Sequence, residues 1–159
     1  MIKKRKPYVA DPPKSTEFDN TLRQLDRILE IRKNRKGKLE AKTRELRKAL
    51  VDKEEQLALQ RKIAEKNEID SHDEIKALKK SNTNRAMTVE DILFWHGKEV
   101  SIKKGIVKSY NKCDEILDQK DVLQIKLETH LGVYRQAVMD YEKIAIIKKE
   151  IEKNRDEQE

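Results

Sequence analysis

Apolar side chains recur at alternating spacings of four and three residues between Phe18 and Ala64. Nine of the fourteen positions in this series are apolar, and most residues between them are charged. This spacing places a narrow apolar seam along one side of a helix, which is typical of a coiled coil. One such helix cannot bury its seam alone, so the rest of the chain is predicted to supply a partner. The series is Phe18, Leu22, Leu25, Leu29, Arg32, Lys36, Leu39, Thr43, Leu46, Leu50, Lys53, Leu57, Gln60 and Ala64.

A second series with the same spacing follows later in the chain, and ten of its thirteen positions are apolar. Two long seams joined by a short connection pair antiparallel. We therefore predict an all-α fold in which two long helices form an antiparallel coiled-coil hairpin with a short irregular or helical bend. The second seam is Ile106, Tyr110, Cys113, Leu117, Lys120, Gln124, Leu127, Leu131, Tyr134, Val138, Tyr141, Ala145 and Lys148. A parallel stripe widens this face with Ile102, Ile116, Leu123, Ala137, Ile144 and Ile151.

Prolines and turn-like sequence predict where the two helices begin and end. Three prolines deny helix to the first part of the chain. Thr88 is predicted to cap the second helix, with Asp91 three residues on in an approximate capping box. The predicted division is a flexible basic arm over 1–15, a helix over 16–68, a bend over 69–87 and a helix over 89–155, with 16–159 forming one hairpin domain.

The composition favours long helices over a compact globular domain. Of the 159 residues, 42% are charged and 36% are hydrophobic. Net charge is +7, and residues 1–48 carry sixteen Lys and Arg against seven Asp and Glu, about +9, which leaves about −2 for the rest. A basic first third indicates an acidic partner, a nucleic acid or a membrane surface, or simply a solvated helix face. No apolar run is long enough to span a membrane, so no membrane insertion is expected.

Patterns that carry catalysis or metal binding are missing from the sequence. The three histidines, His72, His96 and His130, share no metal-ligand spacing. No phosphate-binding glycine loop, zinc-protease motif or nucleophile-elbow motif occurs. The single cysteine, Cys113, lies in a seam, which favours a buried structural thiol and a reducing compartment. We expect a protein that is not an enzyme and that has no cofactor and no metal site.

Surplus apolar residues occur at two places, which the predicted hairpin puts at opposite ends. Four consecutive apolar residues near the bend point almost all round a helix, so they cannot all face the first helix. Near the free ends, apolar residues of the second helix lie opposite apolar residues of the first, beside a basic collar. Surplus apolar surface marks a contact site, unless the bend or the N-terminal arm covers it. The bend-end set is Ile92, Leu93, Phe94 and Trp95, and the free-end set is Ile28, Ile31, Arg32, Lys33, Lys36, Ile146 and Ile147.

Three stretches carry a resemblance to a known family. They are LDRILEIRKNRKGKLEAKTREL, TVEDILFWHGKEV and VYRQAVMDYEKIAIIKKEIEKNRDEQE. The chain resembles the type III secretion stalk proteins, the YscO/SctO/InvI family, and their flagellar relative FliJ. The resemblance covers residues 20–159 in architecture, and the arm before Thr16 departs from it.

The resemblance implies a non-catalytic stalk that links a hexameric secretion ATPase to the export gate protein and promotes protein export. Phe94 and Trp95 match the gate-facing aromatic opening of the second helix, and the paired free ends would enter the ATPase ring. It also implies handling of secretion chaperones and a place in the bacterial cytoplasm, peripherally at the inner-membrane secretion apparatus. A monomer is expected, because the two seams satisfy each other within one chain. Two alternatives remain: a basic coiled coil that binds nucleic acid through Lys3–Lys6 and Arg32–Lys38, for which no base-reading residues are present, and a self-assembling coiled-coil scaffold.

Overall fold

Two long helices make up nearly all of the described chain. The computed structural model describes residues 14–83 and 86–158. Helix α1 runs over Lys14–Asn82 and helix α2 over Val89–Gln158, and no strand occurs within these ranges. The two helices pack against each other antiparallel, which confirms the predicted hairpin. The predicted basic arm lies outside the described residues up to position 13, whereas positions 14 and 15 already belong to α1.

The predicted seam of α1 faces the partner helix along its whole length. All fourteen of its positions are buried or half-buried. Leu57, which is 4% exposed, and Ala64, which is 0% exposed, form a core cluster with Cys113 of α2, and Tyr110 and Ile116 pack against it. Burial of this seam is the main source of stability for helices of this length, because intrinsic propensity alone contributes little.

Helix α1 continues fourteen residues beyond its predicted end at residue 68, to Asn82. The predicted bend over 69–87 was therefore too long, and the described non-helical residues are Thr83 and 86–88. The inward-facing pattern continues through Ser71, Ile75, Leu78 and Asn82, all buried or half-buried. Ser71 and Asn82 are polar, and polar residues at inward positions favour a turn when the sequence alone is considered.

The start of α2 has the predicted capping box. The Asp91 backbone amide donates to Thr88 Oγ1 at 3.2 Å, and the Thr88 amide donates to Asp91 Oδ2 at 3.2 Å. These two bonds satisfy amides that a helix start leaves unpaired. The other end of α2 extends to Gln158, three residues past the predicted limit of 155.

The inward line of α2 combines the predicted seam with the predicted stripe. Gln124, a predicted seam position, is exposed, and Leu123 of the stripe is half-buried in its place. Ala137 of the stripe is among the buried residues. The covered positions in strict four-three spacing are Trp95, Glu99, Ile102, Ile106, Ser109, Cys113, Ile116, Lys120, Leu123, Leu127, His130, Tyr134, Ala137, Tyr141, Ile144, Lys148, Ile151 and Arg155.

The described chain divides into two compact units, and polar contacts join the two helices within each. One unit comprises the chain up to Thr43 and from His130 onward, and the other comprises Arg44–Thr129. In the first unit, the pairs are Arg155–Asp19 at 3.5 Å, Lys148–Asp26 at 2.6 Å, Arg32–Asp140 at 3.0 Å and His130 Nε2 to the Leu39 carbonyl at 2.8 Å. In the second unit they are Lys120–Glu54 at 3.8 Å, Lys53–Gln119 at 2.8 Å, Asn67–Ser109 at 3.2 Å and the Tyr110 hydroxyl with the Glu68 carboxylate. From one end of each series to the other, the residue numbers rise along α1 while those of their partners fall along α2, as antiparallel packing requires.

The regular spacing changes once, in the second unit. Covered positions on α1 follow each other by four residues twice in succession, at Gln60, Ala64 and Glu68. This is a stutter, which locally unwinds a coiled coil. Opposite it, the Tyr110 hydroxyl donates a hydrogen bond to the Glu68 carboxylate. Because only the protonated phenol can donate this hydrogen bond, the bond raises the pKa of Tyr110 to about 12.

Candidate partner-binding surfaces

Three of the four bend-end residues are uncovered by the fold. Ile92, Leu93 and Phe94 are exposed, Leu93 by 65% and Phe94 by 70%. Trp95 is half-buried, because it occupies the inward line of α2. The alternative that the bend folds over both aromatic residues holds in part for Trp95 and not for Phe94. The first two turns of α2 therefore present an apolar surface that the hairpin itself does not use.

Two shallow, open cavities beside this surface share Asn82, Met87 and Trp95 in their linings. One, of about 240 Å³, is lined by Leu78, Ser81, Asn82, Met87, Asp91, Phe94, Trp95 and Lys98. The other, of about 310 Å³, is lined by Lys79, Asn82, Thr83, Met87 and Trp95. The Trp95 indole nitrogen is buried and has no hydrogen-bond partner among the residues that the structure describes. An unpaired buried donor costs about 1–3 kcal/mol, so this side chain gains from any rearrangement that gives it an acceptor.

The free-end isoleucines are also exposed, but they do not lie at a tip. Ile31 is 68% exposed, and Ile28, Ile146 and Ile147 are exposed as well. Because α1 begins at Lys14 and α2 ends at Gln158, all four lie more than ten residues inside the described helix ends. The predicted free-end isoleucines therefore lie on the sides of the two helices and not at their ends.

Ion pairs place these four isoleucines at one level of the first unit. The Lys148–Asp26 pair lies just beyond them, and the Arg32–Asp140 pair lies on their other side. The hydrogen bond from Lys148 to Asp26 raises the pKa of the Lys148 ammonium group and so favours its charged form. The antiparallel register thus puts the isoleucines of both helices at the same level, and the contact surface that they are predicted to form stays a prediction.

Two of the three predicted collar residues make contacts between the helices. Arg32 Nη1 donates to Asp140 Oδ2 at 3.0 Å, and Lys36 Nζ lies 4.9 Å from the centroid of the Tyr141 ring. Lys33 is exposed. Asp140 and Tyr141 were not among the predicted site residues, because their partners can be assigned only once the register of the two helices is known. The basic surface here is consequently smaller than the sequence suggests.

The described residues offer little chemistry beyond these surfaces. They contain no group of three or more His, Cys, Asp or Glu side chains that could hold a metal ion. Cys113 is buried, as predicted. Neither of the two helices, over the part that the structure describes, has a stretch apolar enough to cross a membrane.

No family model, curated protein or solved structure matches the chain, so the fold and its exposed surfaces carry the functional interpretation.

Proposed function

We propose that the protein is the non-catalytic stalk of a bacterial type III secretion export apparatus, linking a hexameric secretion ATPase to the export gate protein and promoting protein export. The observation that carries this proposal is the exposed Leu93–Phe94 surface at the start of α2. The resemblance to the type III secretion stalk proteins implies that Phe94, together with Trp95, matches the gate-facing aromatic residues of that family.

The distribution of apolar surface supports a protein that contacts two partners. The four-three seam of each helix is satisfied by the other helix, so no second copy is needed to cover it. Consecutive exposed apolar residues occur in each unit, Ile92–Phe94 in one and Ile146–Ile147 in the other, beside further exposed apolar side chains such as Leu59, Val107 and Ile125. Each of the two consecutive runs would contribute affinity at about 25 cal/mol per Å² of apolar surface buried.

Specific nucleic-acid binding has less support. The exposed basic residues of the 32–38 stretch are Lys33, Arg35 and Lys38, because Arg32 and Lys36 contact α2. Lys3–Lys6 lie outside the described residues. The remaining lysines and arginines would give only salt-sensitive, non-specific attraction to phosphates.

The gate contact is tested with the exposed pair, which leaves the seam intact. We expect Leu93→Ala with Phe94→Ala to weaken binding to the cytoplasmic domain of the export gate protein at least tenfold, because exposed apolar anchors carry most of the energy of such contacts. The matched control is Val107→Ala, also on an exposed face of α2. Binding is measured by calorimetry, and helix content by circular dichroism. Equal affinity of the double variant and the control would contradict the gate assignment.

The ATPase contact is tested with the exposed isoleucine pair of α2. Ile146→Asp with Ile147→Asp should abolish stimulation of ATP turnover by the cognate ring, because two carboxylates replace the apolar contact surface. Val122→Asp with Ile125→Asp makes the same chemical change at exposed positions of the other unit and should leave stimulation intact. Lys33→Glu should slow association mainly at low salt, since exposed charges chiefly set the rate of approach. A folded isoleucine variant that stimulates like the wild type would remove this contact from the proposal.

A further inference from the structure

Two lysines border the two cavities that share Trp95, one lysine in each. Lys98 lines the cavity of about 240 Å³, and its Nζ lies 5.6 Å from the centroid of the Phe94 ring. Lys79 lines the cavity of about 310 Å³. Asp91 is the one carboxylate among the described lining residues, and it already accepts a hydrogen bond from the Thr88 amide. The lining residues therefore combine apolar walls with two lysines against one carboxylate. Glu99, outside the lining, has its pKa lowered mainly by its hydrogen bond with Lys103 and also by the Lys79 ammonium group.

We propose that this site binds an acidic–apolar segment of a partner protein. An apolar side chain of that segment enters beside Leu78, Met87 and Phe94, and a neighbouring carboxylate lies between Lys79 and Lys98 and accepts the indole N–H of Trp95. The inference rests on the proposed function, because it names the chemistry by which the surface at the start of α2 recognises its partner.

The indole nitrogen favours a carboxylate over a neutral acceptor. It can only donate, and a hydrogen bond to an ionised acceptor is about twice as strong as one to a neutral group. In the free protein this nitrogen is covered and has no partner within the described ranges, so the ring gives up no hydrogen bond to these residues when it turns toward either cavity. A nucleic-acid phosphate is disfavoured, because the apolar walls and the Asp91 carboxylate suit a segment with apolar side chains and sparse negative charge.

Intrinsic fluorescence reports on this site directly, because Trp95 is the one tryptophan in the sequence. The probe is a capped eight-residue peptide of alternating glutamate and leucine, titrated into the full chain. A matched peptide carries glutamine in place of glutamate. We expect a saturable change in emission with the acidic peptide and at least tenfold weaker binding of the neutral one, the loss typical of one charge-assisted hydrogen bond.

Variants distinguish the contributions of the Trp95 indole and the two lysines from non-specific attraction between the acidic peptide and a basic protein. Trp95→Phe keeps an aromatic ring without the donor, and Lys79→Gln with Lys98→Gln removes the two charges. Both should weaken the acidic peptide at least tenfold by calorimetry. Lys104→Gln with Lys108→Gln makes the same charge change on another face of α2 and should alter affinity less than about twofold.

Several results would overturn the inference. They are the absence of saturable binding, equal affinity for the two peptides, unchanged affinity of Trp95→Phe with helix content intact, and tighter binding of a single-stranded oligonucleotide than of the acidic peptide. The proposed function fails separately. If the peptide binds and the export gate domain does not, the gate assignment is lost and the chemistry of the site stands. If the gate domain binds equally to wild type, Trp95→Phe and the Lys79–Lys98 variant, this inference is lost and the stalk proposal stands.

Discussion

Replacing Leu57 by alanine tests whether the four-three seam is the core of the protein. Leu57 is 4% exposed and belongs to the cluster with Ala64 and Cys113. Leucine-to-alanine changes in compact cores cost about 2–5 kcal/mol, from lost burial and from the cavity left behind. Here the neighbouring Ile116 is itself half-buried, so the space is partly open to water and to rearrangement. We therefore expect a loss at the low end, about 2–3 kcal/mol.

The matched control is Leu59→Ala, two residues along the same helix. Leu59 is 62% exposed, and the change in intrinsic helix propensity is the same at both positions. The difference between the two variants in the free energy of unfolding therefore reports the effect of burying the leucine side chain. Leu59→Ala should change the free energy of unfolding by less than about 0.5 kcal/mol. Urea unfolding followed by circular dichroism measures both, and Leu57→Ala should also lower the melting temperature by about 5–10 °C.

Equal destabilisation by the two variants would refute this reasoning. It would mean that Leu59 is covered in solution and that the helices pack in a different register. A loss below about 0.5 kcal/mol for Leu57→Ala would mean that the cluster around Cys113 does not hold the helices together.

Three further results are expected. The free energy of unfolding should fall as pH rises from about 10 to about 12, because folding raises the pKa of Tyr110 from its ordinary value of about 10 to about 12. The stabilisation from the protonated Tyr110 is fully present below about pH 10 and is lost as the pH passes through about 12. Urea unfolding across this range should show a shallower fall for Tyr110→Phe. Arg32→Gln should destabilise by about 0.5–1.5 kcal/mol, since it breaks a half-buried hydrogen-bonded ion pair, whereas Arg35→Gln on an exposed face should have little effect in the same assay. Leu127→Asp should cost several kcal/mol and melt much of the helix content, whereas Ile125→Asp, at an exposed position, should not.

The sequence predicts the seam of α1 well because spacing and packing coincide there. All fourteen predicted positions are covered, including the basic residues Arg32 and Lys36. The long stems of such residues can lie along a seam while their charged groups reach a partner. For α2 the face is wider than one seam, so periodicity alone could not decide between Leu123 and Gln124. In the structure Leu123 packs toward α1 and Gln124 is exposed.

What sequence reasoning missed depends on contacts between distant parts of the chain. The predicted end of α1 at residue 68 is too early, because Ser71 and Asn82 are polar although the inward spacing continues through them. The free-end surface was predicted from apolar runs, and its isoleucines are exposed. The engagement of Arg32 by Asp140, 108 residues away, could not be foreseen without the register of the two helices.

The burial of Cys113 makes thiol modification a measure of how often the two helices separate locally. It is the single cysteine of the sequence, and it is enclosed by Leu57 and Ala64 across the helix interface. A thiol reagent reaches it only while the helices are locally apart, so the rate of modification, relative to that of an unfolded chain, measures how often they open. Cys113 lies in the 44–129 unit, whereas Ile146 and Ile147 lie in the other. The rate measured with and without the proposed ATPase partner would therefore report whether binding at one unit changes how often the other unit opens, which is a thermodynamic coupling between the two units.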